Sequence, residues 1–374
     1  MNNLERLKKS IPPKGKLSLL YLNITSSCNL KCFYCYDEAN KAKTKSDVAL
    51  TLDEIIDIAE KSKNLDLGRV AITGGEPFVR NDWFEIGKAF ADRGISVTYS
   101  TNGTLIDEEK IKKLAEINAG LQISLDGDDD IMNFVAKKTG IYSKVMEVAE
   151  IAKLYGVDIL LNCVVGRHNL SEMNTFLDNI ENKQIKCRLT PFDSSLNSKH
   201  EQYALDIVEK YNLIMLVDRH NETRKTQNIT MSLPILMTPK HIPLGFASSC
   251  GWGYNVCGIL SNGDVTVCAP AAGIEFFNAG NLRTTDFNEI WNDSEKFSEL
   301  RNYETSDIKG ICASCPVIDL CGGGCRVASY IKHHDPLAPG TLCQEYYDAV
   351  SNGLIKEDGF LIGGVSIERT GETV

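Results

Sequence analysis

The stretch Leu17–Cys35, LSLLYLNITSSCNLKCFYC, joins an apolar run to three closely spaced cysteines. The run LSLLYLNIT has the length and composition of a buried β-strand. Directly after it, Cys28, Cys32 and Cys35 place three thiols within eight residues. Three thiolates suit a four-iron cluster that leaves one iron open. Zinc is the weaker alternative, because a zinc site more often takes four ligands or a histidine, and the first histidine is His168.

From Leu17 to about Pro191, short β-branched or apolar runs alternate with longer amphipathic stretches. This alternation predicts βα units and a parallel sheet. The predicted strands are LSLLYLNIT, RVAIT, SVTYST, LQISLDG, DILLNCVV and IKCRLT. The predicted helices lie near Leu52–Lys63, Trp83–Arg93, Asp107–Ile117, Tyr142–Tyr155 and Leu170–Ile180. Six strands with five intervening helices predict an α/β fold, a partial (β/α)6 barrel.

The rest of the chain divides into further regions. Residues 198–245 contain a predicted helix, EQYALDIVEKYNLIMLV, and a polar stretch, DRHNETRKTQN, which we interpret as a bridge between domains. Residues 246–350 are rich in glycine and cysteine, and a fold with so little periodic core would depend on metal. Residues 17–197 are predicted to form the barrel domain, 1–16 an N-terminal segment and 351–374 a C-terminal tail.

Composition and charge limit the classes of function. Hydrophobic residues make up 43% and charged residues 24% of the chain, the balance of a folded soluble protein. No window has the pattern of a signal peptide or a membrane span, so we expect a cytoplasmic protein with no membrane partner. The net charge of −10 and the lack of a basic stripe argue against nucleic acid as a partner.

Thirteen cysteines are many for a cytoplasmic chain, where reducing conditions disfavour disulfides. Eleven of them fall into two clusters, which metal binding explains better. The other two, Cys163 and Cys187, stand alone and are expected to pack as small buried hydrophobic residues.

The CxxxCxxC spacing after the first strand resembles the signature of the radical S-adenosylmethionine (SAM) superfamily. One βα unit later, residues 74–77 resemble the GGEP motif of that family, although alone they would equally make a tight turn. The resemblance implies that a reduced cluster passes one electron to SAM. SAM then splits into methionine and a 5′-deoxyadenosyl radical, which removes a hydrogen from the substrate. The chemistry belongs to the cofactor, and the protein supplies placement.

The same resemblance implies which residues contact SAM. The glycines of the GGEP turn would let the backbone approach the ligand, and its carboxylate would hold the methionine amino group. Tyr34 would lie against the adenine, and Ser124 would bind the ribose or carboxylate region. The full candidate set is Tyr34, Gly74, Gly75, Glu76, Asn102, Ser124, Asp126 and Phe192. Taken alone, the polar members are equally explained as strand-end or turn residues, and Phe192 as a packing residue.

One segment departs from the family pattern. Members with a similar C-terminal extension often carry an HDxxR-like segment after the DG, whereas residues 130–137, DIMNFVAK, lack both histidine and arginine. Lys137 or Lys138 would offer a point charge there but cannot reproduce the fork of an arginine.

The C-terminal cysteines resemble the seven-cysteine SPASM extension of radical SAM enzymes. Their pattern is Cys250-x12-Gly263-x4-Cys268, then Cys312-x2-Cys315-x5-Cys321-x3-Cys325, and finally Cys343. The resemblance implies one auxiliary cluster on Cys250, Cys268 and Cys325, and another on Cys312, Cys315, Cys321 and Cys343. Cys257 lies close to where related proteins supply a fourth ligand to the first of these, so full ligation of both by protein is expected.

The whole chain is thus predicted to be a partial (β/α)6 barrel followed by a small Cys-rich iron–sulfur domain. Its expected cofactors are three [4Fe–4S] clusters and SAM. A zinc knuckle on Cys312, Cys315, Cys321 and Cys325 is the alternative, which would leave the other cysteines without a purpose.

Known members with this extension modify ribosomally made peptides, mature sulfatases, act on cofactor precursors and tetrapyrroles, or oxidise small sugars. The sulfatase-maturing branch places an aspartate directly after the cysteine equivalent to Cys268, and Ala269 stands there in this chain. No other catalytic base is assigned, since His333 and His334 are better explained as an exposed turn pair.

We therefore expect crosslinking or oxidation of a ribosomally synthesised peptide. The alternatives are a radical reaction on a small molecule or tetrapyrrole, and a non-catalytic iron–sulfur carrier or zinc scaffold. The implied reductant is a flavodoxin- or ferredoxin-type protein. Because only Met1–Lys16 precedes the first strand, we expect any leader peptide to be recognised by a separate leader-binding protein or by the barrel mouth.

Overall fold

The computed structural model describes residues 15–35, 48–194, 198–243 and 250–355, together with the backbone of 361–362 and 365–366. The strands are β1 Leu19–Asn23, β2 Arg69–Thr73, β3 Ser96–Thr101, β4 Gly120–Ser124, β5 Ile159–Val165, β6 Lys186–Pro191, β7 Ile229–Met231, β8 Val256–Ile259, β9 Asp264–Thr266, β10 Asn278–Asn281, β11 Leu361–Ile362 and β12 Val365–Ser366. The helices are α1 Leu52–Asn64, α2 Trp83–Ala91, α3 Glu108–Glu116, α4 Asp129–Ala136, α5 Ile141–Tyr155, α6 Met173–Asn182, α7 Ile207–Arg224, α8 Phe287–Asp293, α9 Glu295–Asn302, α10 Ile318–Cys321, α11 Arg326–His333 and α12 Thr341–Ser351.

One sheet of ten strands runs through both halves of the chain, in the order β10-β9-β8-β1-β2-β3-β4-β5-β6-β7. The six predicted strands pair in parallel from β1 to β6, so the α/β class and the parallel sheet are confirmed. Two further parallel strands extend this sheet, β7 beside β6 and β8 beside β1. The antiparallel strands β9 and β10 complete it.

Successive side chains of each strand point alternately to the outer and the inner face of the barrel. On β1, Leu20 and Leu22 are fully buried in the main core together with apolar residues of the helices, whereas Tyr21 and Asn23 point to the opposite side. The inner face carries more polar side chains, such as Arg188 on β6. The loops at the carboxyl ends of the parallel strands therefore surround a polar lumen.

The segment 198–243 differs from the predicted bridge. Helix α7 was expected to end near Val217, but it continues through the polar sequence to Arg224. The reason is that polar residues here make buried contacts: Asn221 is 2% exposed, and its Nδ2 donates to the carbonyls of Ile229 and His241, both at 2.9 Å. The first part of the predicted polar stretch is therefore helical.

Helix α4 was not predicted. Asp128 caps it by accepting hydrogen bonds from the backbone N–H groups of Asp130 and Ile131, each at 3.1 Å. At eight residues it is too short for periodicity to reveal, so the cap is its main sequence signal. The two isolated cysteines behave as expected, since Cys163 and Cys187 are both fully buried in the core.

The C-terminal half is not a separate layer, because β8 joins the barrel sheet directly through β1. The division at residues 197 and 245 stays a prediction. Within the described ranges, no helix has both the length and the apolar character needed to cross a bilayer.

Candidate active site

The loop after β1 holds the first three cysteines close to one another. The backbone N–H of Leu30 donates to Cys28 Sγ at 3.4 Å, and the N–H of Cys35 donates to the carbonyl of Cys32 at 3.2 Å. Burial raises the pKa of Cys32 to about 12, and the charges of Asp126, Cys35 and Cys28 add to the rise. Thiols that oppose one another's ionisation in this way are favourable as thiolates only beside a metal centre, so the donor set fits an iron–sulfur cluster.

The GGEP turn is joined to this loop by backbone contacts. The N–H of Gly75 donates to the carbonyl of Thr25 at 2.7 Å, and the N–H of Glu76 donates to the carbonyl of Ser27 at 2.8 Å. A Cβ on Gly75 would lie 2.6 Å from the Ser27 carbonyl carbon. Glycine is therefore required at this position because the two backbones meet there.

Glu76 is fully buried, and protein donors orient its carboxylate. Oε1 accepts from the hydroxyl of Thr101 at 2.7 Å and from the N–H of Phe78 at 3.2 Å. Oε2 accepts from the N–H of Asn102 at 2.8 Å. Burial raises the pKa of Glu76, and these three donors oppose that rise. Oε2 still has acceptor capacity for an ammonium group.

Asn102 connects the end of β3 to the cysteine loop. Its Nδ2 donates to Asn29 Oδ1 at 2.9 Å and lies 3.9 Å from Cys28 Sγ. Neither Asn29 nor Thr101 was predicted as a site residue. The one sequence signal for Thr101 is that it is the first residue of the TNG sequence at the end of β3.

A second group of predicted residues meets across the barrel mouth. The hydroxyl of Tyr34 donates to Asp126 Oδ2, and the rings of Tyr34 and Phe192 lie 6.2 Å apart. Burial raises the pKa of the Asp126 carboxyl to about 7, while the Tyr34 hydrogen bond and one from the Val164 N–H, at 2.8 Å, lower it. Ser124 stands at the exposed end of β4 and makes none of these contacts among the described residues.

Two residues that sequence reasoning missed support this group. Asn169 is fully buried, and its Nδ2 donates to the carbonyls of Asp126 and Val164, both at 2.9 Å. His168 lies against Tyr34, with ring centroids 6.2 Å apart. Burial lowers the pKa of His168 to about 4, so its imidazole is neutral. A single His-Asn pair after a strand carries too little pattern to be singled out from sequence.

The segment that lacks the HDxxR-like pattern folds as α4 and covers the cysteine loop. The N–H of Phe33 donates to the carbonyl of Val135 at 3.1 Å, and the rings of Phe33 and Phe134 are 5.4 Å apart. Lys137 Nζ lies 5.0 Å from the centroid of the Phe134 ring. Aromatic packing and one cation–π contact therefore occupy the place where the family pattern has charge.

In the C-terminal half, Cys250, Cys268 and Cys325 lie near one another. Burial raises the pKa of Cys268, and the charges of Cys325 and Cys250 add to it. Cys257 is fully buried in the main core, and its thiol donates to the carbonyl of Gly258 at 3.7 Å. Its charge also adds to the rise in the pKa of Cys268. Its part in ligation stays a prediction.

The second auxiliary group lines one small pocket together with apolar side chains. Its lining consists of Leu236, Ile311, Cys312, Cys315, Ile318, Cys321, Gly323 and Cys343. The four thiols share this space with apolar side chains, an arrangement that fits a cluster shielded from solvent. The backbone N–H of Gly340 already donates to Cys312 Sγ at 3.3 Å, a contact that stabilises thiolate charge.

Arg326 fixes the loop beside this pocket. The residue is fully buried, and its guanidinium donates to the carbonyls of Pro336 at 3.1 Å, Ala338 at 2.6 Å and Gly323. Its two terminal nitrogens thus join the turn at Gly323 to the loop at residues 336–338, whereas its buried Nε has no hydrogen-bond partner among the described residues. His333 and His334 end α11 and are exposed, as expected.

Comparison with known proteins adds family information. The model of the Radical SAM superfamily matches residues 22–180, and the SPASM model, described as an iron–sulfur cluster-binding domain, matches residues 250–316. Mycofactocin maturase MftC of Mycolicibacterium smegmatis is 29% identical over 332 residues, covering 87% of this chain and 82% of that protein. AdoMet-dependent heme synthase of Methanosarcina barkeri is 25% identical over 350 residues, covering 87% of this chain and 95% of that protein. The crystal structure of Streptococcus suis SuiB bound to precursor peptide SuiA shares the fold, with a TM-score of 0.72 and 21% identity over 91% of this chain and 78% of that chain.

Proposed function

This chain belongs to the radical SAM superfamily and carries a SPASM domain, and from that premise we propose that it oxidises or crosslinks a ribosomally synthesised peptide. The observation that supports a peptide most directly is the 29% identity to a mycofactocin maturase, which extends over 87% of this chain. The similarity therefore includes the barrel and the C-terminal half together. The presence of a radical SAM domain argues against a non-catalytic iron–sulfur carrier and against a zinc scaffold.

We propose three [4Fe–4S] clusters. Cys28, Cys32 and Cys35 would hold the first and leave one iron open to SAM. The two auxiliary clusters would lie at the Cys250, Cys268 and Cys325 group and in the pocket lined by Cys312, Cys315, Cys321 and Cys343. When bound, the first cluster and SAM supply the electron and the 5′-deoxyadenosyl radical that the reaction needs.

The residues of the chain would orient SAM and exclude water. Glu76 would accept the methionine ammonium through Oε2, because Thr101 and the neighbouring N–H groups already fix its carboxylate. Gly74 and Gly75 would allow the ligand close to the backbone. Tyr34 and Phe192 would contact the adenine, and Ser124 and Asn102 the polar parts of SAM. Asp126 would act through Tyr34, as a positioning residue.

A second candidate is a radical reaction on a tetrapyrrole or another small molecule. The 25% identity to an AdoMet-dependent heme synthase, again over 87% of this chain, favours it. Under either function we propose that a flavodoxin- or ferredoxin-type protein supplies the electron. For a peptide substrate we propose in addition a separate leader-binding protein.

Iron quantification together with SAM cleavage tests the proposal. The anaerobically reconstituted protein should hold about twelve irons, and Cys28→Ala/Cys32→Ala/Cys35→Ala should hold about eight. With dithionite, only the unsubstituted protein should release 5′-deoxyadenosine. A Cys163→Ala/Cys187→Ala protein is the matched control, because both of its thiols are buried in the core and should leave iron content and cleavage unchanged.

The substrate is tested by mass spectrometry. A short precursor peptide encoded beside this gene should lose hydrogen when it is incubated with the enzyme, SAM and reductant. If that peptide stays unchanged while a tetrapyrrole stimulates SAM cleavage and is oxidised, the second candidate is correct. Stoichiometric zinc with no SAM cleavage would contradict both.

A further inference from the structure

We propose that Arg188, in the lumen of the barrel, binds a carboxylate group of the substrate, with the side-chain amide of Asn162 as a second donor. This inference rests on the proposed function, because it names a chemical feature of the substrate on which the radical SAM site would act. A carboxylate is the feature that the two candidate substrates share, since peptides and biological tetrapyrroles both carry carboxyl groups.

Strand β6 directs Arg188 into the lumen. Its two neighbours along the strand, Cys187 and Leu189, are fully buried in the main core on the outer face of the sheet. Because successive side chains of a strand point to opposite faces, Arg188 points to the inner face. The side chain is partly buried, yet it has no hydrogen-bond acceptor and no carboxylate partner within the part of the chain that the structure describes.

The sheet places two further polar side chains beside Arg188. Arg188 is paired with Asn162 across β5 and β6, and Asn162 is paired with Ser124 across β4 and β5. Neighbouring strands lie about 4.8 Å apart, so the Cα atoms of Ser124 and Arg188 are separated by about 10 Å along this row. The side chains of Asn162 and Ser124 also have no hydrogen-bond partner among the described residues. The row therefore joins Arg188 to the proposed SAM contact at Ser124.

The parallel strands give the lumen positive charge without a balancing carboxylate. Strands β1 to β8 contain no aspartate or glutamate, and their cations are Arg69, Lys186 and Arg188. The first two are exposed and begin their strands, at the opposite end of the barrel from the site. The carboxylates of Glu76 and Asp126, beyond the strand ends, are already held by protein donors. Arg188 is thus a lumen cation in a chain whose net charge is −10.

The chemistry of these groups selects a carboxylate. A guanidinium donates two parallel hydrogen bonds to a carboxylate, and a neighbouring amide donates a third. Burial lowers the pKa of Arg188, so part of its hydration is lost in the folded protein without an internal anion to replace it. A substrate carboxylate would supply that anion. It would fix one end of the substrate and leave the rest to extend along the row toward the strand ends where SAM would bind.

Benzoate is the probe for this site, and benzamide is its uncharged control of similar shape. The reconstituted protein is used anaerobically with SAM but without reductant, so that the SAM site is filled. Saturation-transfer difference NMR should show a benzoate signal several-fold above that of benzamide. Arg188→Gln should abolish this difference, whereas the exposed Arg219→Gln, the matched control, should keep it. A difference that survives in Arg188→Gln, or equal signals in the unsubstituted protein, would overturn the proposal.

Stability separates a binding role from a structural one. Arg188→Gln removes a partly buried charge that has no partner, so the free energy of unfolding in urea should stay the same or rise. The iron content should equal that of the unsubstituted protein, which shows that the variant is folded. Loss of benzoate binding together with a lower free energy of unfolding would contradict the proposal, because Arg188 would then stabilise the barrel itself.

Substrate kinetics identify the source of the carboxylate. The compounds are the precursor peptide encoded beside this gene and a tetrapyrrole carboxylic acid. For the one that stimulates SAM cleavage, Arg188→Gln should raise KM about ten- to hundredfold, with a smaller change in kcat. Amidation of the peptide C-terminus, replacement of its acidic side chains by amides, and methyl esters of the tetrapyrrole each remove one kind of carboxylate.

The carboxylate that Arg188 binds is the one whose removal raises KM for the unsubstituted protein by a similar factor and raises KM for Arg188→Gln no further. Losses that multiply for every carboxylate would refute the assignment. If neither compound stimulates SAM cleavage, but the benzoate difference is present in the unsubstituted protein and lost in Arg188→Gln, the proposed function fails and the carboxylate site stands.

Discussion

Substitution of Gly75 tests whether the turn at the end of β2 positions the first cysteine loop. The backbone of Gly75 lies outside the left-handed region, so alanine adds only a steric conflict. Its Cβ would lie 2.6 Å from the Ser27 carbonyl carbon, and ordinary contact begins at 3.4 Å. The two backbones must therefore separate by at least about 0.8 Å, the difference between these distances, because the Ser27 carbonyl oxygen lies closer still. Overpacking of this kind costs about 1–3 kcal/mol. Cys28 follows Ser27 and Glu76 follows Gly75 in the sequence, so this separation would move both Cys28 and Glu76.

A shift of about 1 Å in a catalytic arrangement can lower a rate roughly 100-fold. Gly75→Ala should therefore release 5′-deoxyadenosine about 100-fold more slowly, and urea denaturation should show a lower free energy of unfolding. Gly68→Ala is the matched control, because its Cβ would lie 3.5 Å from the Ser18 carbonyl oxygen, an ordinary contact, and within 4 Å of no other described atom apart from its chain neighbours. If the two variants cleave SAM at rates within twofold of each other, the backbone contact does not position the site.

Other predictions concern single side chains. Glu76→Gln should raise the SAM concentration needed for half-maximal cleavage. It should also lower the free energy of unfolding by about 1–3 kcal/mol, because the amide N–H₂ of glutamine would face a backbone N–H, such as that of Asn102, which would lose its acceptor. Arg326→Lys should lower the iron content by up to about four per chain, since the compact ammonium of lysine cannot span the separated carbonyls as the planar guanidinium does. The exposed Arg219→Lys should keep the iron content. Burial raises the pKa of Asp126 from 3.8 to about 7, so the stability of the cluster-free protein should fall as pH rises through that range. Denaturation from pH 4 to 8 should show this fall relative to Asp126→Asn, and parallel profiles would contradict it. Cys163→Ala should cost about 1 kcal/mol in denaturation and leave the iron content unchanged.

The core of the barrel was predictable because its signals are local. Each of the six strands combines apolar or β-branched residues with flanking turns, and these patterns identified β1 to β6. Strands β7 and β8 were missed because each has only three or four residues. Their conformation follows from neighbours that are distant in sequence: β6 for one and β1 for the other.

Helix α7 shows how tertiary contacts reverse a prediction from composition. The stretch DRHNETR has the polarity of a loop, yet Asn221 and Asp218 within it are buried. Asp218 Oδ1 accepts from the backbone N–H of His241 at 2.8 Å, a partner 23 residues away. From sequence alone, a polar side chain is predicted to lie at the surface, because the hydrogen-bond partners that would allow its burial are not known.

By itself, the sequence determined the chemistry of this protein, because thiol spacing and the GGEP turn depend on residues that are neighbours along the chain. It also determined the parallel sheet, through the period of its apolar residues. Only the tertiary structure decided which of these groups meet. It joined Gly75 to Thr25, paired Tyr34 with Asp126, and placed Cys257 beside Leu20 across β1 and β8. The physical reason is that a list of donors and thiols does not contain the direction of each side chain, which sheet register and packing fix over long separations in sequence.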